Sequence, residues 1–80
     1  MNLQLIQGQF STQEAIDIIT QMINVKIKFH ESKIDSAHNE EDIKMREQRI
    51  KQLQQHLHES RIHIEKQGGM IKITSELSFD

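Results

Sequence analysis

The sequence predicts a small α+β protein, mostly helical, in the order strand, helix, helix, strand. Three observations carry that expectation. Apolar residues recur at helical spacing through the middle of the chain, they alternate with polar ones after residue 70, and glycines at 8, 68 and 69 mark the changes. Eighty residues make a single domain, 1–80, near the size where one core is marginal.

Residues 2–7 read as a short strand with Leu3 and Leu5 on one face, where Ile6 interrupts the alternation and Gly8 permits a turn. Ser11 and Glu14 then form a capping box: the hydroxyl accepts an orphan helix N–H and the carboxylate reaches back to the cap. Phe10 and Ala15 occupy the hydrophobic-staple positions around it.

The first helix is expected over 12–37. Asp17, Gln21, Asn24, Lys28, Glu31 and Asp35 share its polar face. Its apolar arc is broad and resolves into two heptad-like seams. One is Ala15, Ile18, Met22, Val25 and Phe29; the other is Ile16, Ile23, Ile27, His30 and Ile34, with Ile19 between them. A helix with one neighbour needs one seam, so two seams imply two neighbours.

Asn39 and the acidic run Glu40-Glu41-Asp42 suit the start of a second helix, expected over 40–66. Ile43, Ile50, Leu53, Leu57 and Ile64 give it one principal seam, interrupted by Arg46 and Ser60. Lys44, Glu47, Gln48, Lys51, Gln52, Gln55 and Glu59 read as a solvated face. Gly68-Gly69 ends the helix. From 70 to 79 the period is two: Ile71, Ile73, Leu77 and Phe79 fall on one face, with Ser75 the polar exception.

Two helices of roughly 39 Å joined near Ser36–Asn39 fold back as an antiparallel hairpin. That pairing brings Ile23, Ile27, His30 and Ile34 against Ile43, Ile50, Leu53 and Leu57, and returns the terminal strands to the hairpin base. The C-terminal strand is read as the longer, leaving an edge without an intrachain partner. Thirteen of the 28 hydrophobic residues are isoleucine, a mediocre helix former, so these helices depend on packing rather than propensity. The unused seam and the open edge point to a homodimer with a shared sheet, whose interface is expected to use Ile18, Met22, Val25, Phe29, Ile71, Ile73, Leu77 and Phe79.

The chemistry is sparse. Without cysteine there is no disulfide, no thiol nucleophile and no Cys-type metal site. Glu59 and His63 share a helix face, but an exposed pair explains them without a metal. No serine sits in a nucleophile elbow and no glycine pattern cradles phosphate, so no enzyme activity, metal or cofactor is expected. His30 lies on the hairpin seam near Arg46 and Glu47, where Glu47 is expected to stabilise it as a register-fixing polar residue; a pH-sensitive role is the alternative. His30-Glu31-Ser32-Lys33-Ile34 recurs as His58-Glu59-Ser60-Arg61-Ile62, an echo that fits either a helix duplication or two helices in one heptad register.

A net charge of −2 and 28% charged residues point away from nucleic acid and from membrane-spanning segments. Met1-Asn2-Leu3-Gln4 has neither the basic nor the apolar run of a secretory leader, which gives a cytoplasmic expectation. The functional expectation is therefore a non-catalytic oligomerisation or protein-interaction module that offers the polar face of its second helix to a protein partner. A small regulatory nucleic-acid-binding dimer is the alternative.

Overall fold

The computed structural model describes residues 1–80. They form β1 (Asn2–Phe10), α1 (Thr12–Asp35), α2 (Glu40–Gln67) and β2 (Ile71–Ser78), with β1 and β2 paired antiparallel. The expected βααβ order is present, with α1 ending two residues early and α2 running one residue further.

Local chemistry fixes the helix ends. Ser11 Oγ accepts from the Glu14 N–H at 3.1 Å, and Glu14 Oε1 accepts from the Ser11 N–H at 2.9 Å, completing the capping box. Those Ser11 hydrogen bonds hold the Glu14 carboxyl below its ordinary pKa, the backbone donor contributing most. At α2, Asn39 Oδ1 accepts from the Glu41 N–H at 2.8 Å, and three carboxylates line the positive end of the helix dipole. Gly68 and Gly69 have φ of 64° and 63°, the left-handed backbone that lets the chain leave α2 and enter β2. Thr12 Oγ1 donates to the Gly69 carbonyl at 3.3 Å, tying the start of α1 to the end of α2.

Where these ends converge lies the core. Ala15, Ile16, Ile64 and Ile71 are buried, and Phe10, Ile19 and Ile73 pack against them. Above this base the hairpin seam is thinner. Ile23, Ile27, His30, Ile34, Ile43, Ile50, Leu53 and Leu57 are all half-buried and none is sealed from solvent.

The ribbon departs from expectation in two ways. β1 runs through Gly8 to Phe10 and matches β2 along its length, from Asn2 opposite Ser78 to Phe10 opposite Ile71. The expected unpaired stretch of the C-terminal strand is therefore absent, and the free edges are the outer ones of β1 and β2. Gly8 is a strand residue opposite Ile73 rather than a turn; a Cβ there would meet the Phe10 ring at 3.8 Å. Second, the irregularity at Ile6 is a bulge: the register shifts between Gln4 and Ile6, leaving Leu5 as the extra residue. The shift keeps Leu3 opposite Leu77 and Ile6 opposite Ser75, on the face that carries Phe10, Ile71 and Ile73. Gln4–Glu76, Gln7–Thr74 and Gln9–Lys72 pairs occupy the other face, so the ribbon is amphipathic.

The molecule measures 46 × 32 × 13 Å. An α2 of 28 residues is already about 42 Å long, and the ribbon adds about 27 Å, so the ribbon runs across the hairpin axis instead of extending it. The chain is an L, with its core at the corner.

Candidate interaction surface

The Ala15 seam of α1 begins inside the core and emerges from it. Ala15 is fully buried, Ile18 is half-buried, and Met22, Val25 and Phe29 are exposed, Val25 at 70%. All five belong to one heptad seam, of which the first turn is covered by the chain's own ribbon while Met22, Val25 and Phe29 stand exposed. The ribbon shows the same gradient in the opposite direction. Ile71 is buried, Ile73 half-buried, and Leu77, Phe79, Leu3 and Met1 exposed. Of the residues expected at an intersubunit contact, Ile71 belongs instead to the chain's own core, because the corner folds β2 onto α1.

The far end of α1 is organised around Arg46, which the heptad pattern marks only as an interruption. Arg46 Nη1 lies 3.1 Å from His30 Nδ1. A guanidinium can only donate, so this imidazole nitrogen accepts and the ring is neutral. Burial, first of all, and then the charges of Arg46, Lys26 and Arg49 hold the His30 pKa below its ordinary value. The expected partner Glu47 is thus replaced by Arg46, since Glu47 sits on the outer α2 face beside Lys44 and Lys51. Arg46 Nε is buried without a hydrogen-bond partner, 3.6 Å from Asp42 Oδ2. Arg46 Cζ and Lys33 Nζ stand 5.8 and 5.7 Å from the Phe29 ring centre, and His30 meets that ring edge-on at 5.6 Å. Phe29 is 51% exposed, so the two cations hold its ring in place without enclosing it.

Two hollows flank the hairpin groove. One, about 390 Å³, is lined by Lys26, His30, Arg49 and His56 with Met45, Gln52 and Leu53. The other, about 320 Å³, sits where the ribbon leaves the hairpin and is lined by Ile19, Glu59, Ser60, His63, Ile64 and Ile73. The Glu59–His63 pair is therefore at the rim of an apolar recess, with Glu59 Oε1 accepting from Gln55 at 3.0 Å. No cluster of three His, Cys, Asp or Glu residues stands close enough to hold a metal ion. The outward face of α2 is formed by Lys44, Glu47, Gln48, Lys51, Gln52 and Gln55, with no hydrophobic residue among them. No helix is long and apolar enough to cross a membrane. No family model, curated protein or solved structure matches this chain.

The half-buried hairpin seam and the uncovered α1 flank are both readable as heptads. The contribution of Leu3 is partly visible as strand alternation, but its place beside Leu77 depends on the bulge. Arg46 carries a usable signal: an arginine within an apolar seam, opposite a histidine.

Proposed function

We propose that this chain is a non-catalytic oligomerisation and protein-interaction module that acts as a homodimer. The observation that carries the reading is the unfinished core. Only 4 of 80 residues are buried, while Met22, Val25, Phe29, Leu3, Leu77 and Phe79 stand exposed. A compact monomer of 9.4 kDa would expose roughly 5,000 Å² and have a radius of gyration of about 12 Å. This chain exposes 6301 Å² with a radius of 15.1 Å. The excess is on the order of 1,300 Å² per chain, above the roughly 800 Å² per partner of a standard stable interface. A second copy supplies the missing cover, and the polar α2 face stays outward for a further protein partner.

Sedimentation of the wild type beside Met22→Lys and Phe29→Asp tests the reading. The wild type is expected to sediment as a dimer and both variants as folded monomers. Unchanged assembly in both variants would place the α1 flank outside the interface.

A further inference from the structure

We infer that the dimer is a reciprocal clasp: the outer end of each chain's ribbon covers the distal half of the other chain's α1 flank. This rests on the homodimer reading and adds which surface meets which.

At the corner of the L, the chain already packs ribbon on helix within itself. Phe10, Ile71 and Ile73 lie on Ala15, Ile16 and Ile19. The two uncovered surfaces repeat that chemistry further out on each arm. Leu3 and Leu77 are directly paired on the ribbon, as Phe10 and Ile71 are at the corner. Met22 lies one heptad beyond Ala15 on the same α1 seam, followed by Val25 and Phe29. The ribbon leaves the hairpin at the corner and runs across its axis, so Met22, Val25 and Phe29 on the outer seam of its own α1 stay exposed. A two-fold axis resolves both deficits together: residue i of one copy meets residue j of the other, and j meets i. Two L shapes related this way interlock into a block, with each ribbon end against the distal half of the other hairpin. The exposed stretch of each arm is then covered by an apolar surface of matching type, and the contact closes without leaving a free end to polymerise.

A complementation experiment distinguishes this arrangement from one in which α1 flanks pair only with each other. Val25→Asp and Leu77→Lys each place a charge at an exposed position, and both are prepared separately and as an equimolar mixture. In the clasp, every contact of either homodimer contains one altered side, so each variant alone sediments as a monomer. A mixed dimer keeps one contact wholly native and sets the introduced lysine against the introduced aspartate in the other, so the mixture regains the dimer mass. Dimeric Leu77→Lys beside monomeric Val25→Asp would overturn the clasp while leaving a dimer held by α1 alone. A mixture that stays monomeric would also overturn it. A monomeric wild type would remove the dimer and the clasp together.

Cysteine chemistry gives a second readout that does not depend on charge, because the chain has no cysteine of its own. Val25→Cys and Leu77→Cys proteins, mixed and treated with a short bismaleimide, should give a covalent dimer bridged between positions 25 and 77. Its absence in a dimeric mixture would contradict the contact.

Discussion

The corner and the outer arms of this molecule are built from the same residue types and differ in what covers them. At the corner Ala15, Ile16, Ile64 and Ile71 are closed in by two helices and a ribbon. On the arms Val25, Phe29, Leu3 and Leu77 present comparable apolar surface to solvent. Composition therefore does not separate the regions; topology does. A ribbon that runs across the hairpin can seal only the turns nearest its root. Burial within one chain is concentrated where all four elements meet, and the proposed association would use the arms, where only one layer exists.

Truncation should break this contrast most clearly. Ile64→Ala removes a side chain only 5% exposed and is expected to cost about 2–5 kcal/mol. Ile62→Ala, two residues away on the same helix and 47% exposed, should change stability by less than about 0.5 kcal/mol. Urea denaturation at fixed protein concentration checks both. Equal costs would mean that the corner is not the stability centre.

Next in size come the arms. Met22→Lys should weaken association at least about a hundredfold without reducing helix content, because it buries a charge in an apolar contact. Sedimentation across a concentration series, with far-ultraviolet circular dichroism of the same samples, reads the two effects separately. An unchanged association constant would remove Met22 from the contact.

Ser11→Ala should cost about 1 kcal/mol through loss of the helix cap, measured by thermal melting. The same site sharpens the acid response. Glu14 has a folded pKa below its ordinary 4.5, so its contribution is present above that value and is lost as pH falls below it. Glu14→Gln should flatten the stability profile in that acidic window.

The smallest expected effect is at His30. Its folded pKa lies below the ordinary 6.5, so the unfolded chain takes up the proton first. Stability is then full above about 6.5 and declines as pH falls from there toward the lower folded value, as the Arg46 hydrogen bond is lost and a charge is added near Lys26 and Arg49. His30→Gln retains an acceptor and should flatten that limb of a melting-temperature profile. A profile already flat between about pH 8 and 5 would exclude His30 as a contributor.

The features legible in the sequence are those set within a turn or a heptad. Ser11 with Glu14, Asn39 before its acidic run, and Gly68-Gly69 depend on neighbours two to four residues away, and each lies at the helix end where the spacing places it. The seam from Ile23 to Leu57 follows from apolar period alone. The ribbon is harder to read because its register joins residues from opposite ends of the chain. Gly8 resembles a turn until Ile73 lies opposite it and the Phe10 ring covers it. Leu5 and Ile6 resemble a broken alternation until the bulge realigns Leu3 with Leu77. Arg46 is obscured for a different reason: charge favours Glu47 as the partner of a seam histidine, while the helix turn aims Arg46 across the seam and Glu47 outward. The apolar arm surfaces are legible by type and position, but the proposed contact between them would join residues of two chains and leaves no period within one.

If a second copy completes this core, unfolding must depend on protein concentration. If folding and association are linked, the urea midpoint followed by circular dichroism rises as total protein is increased from nanomolar to micromolar. A midpoint that stays constant over that range, with a mass of 9.4 kDa throughout, would contradict it.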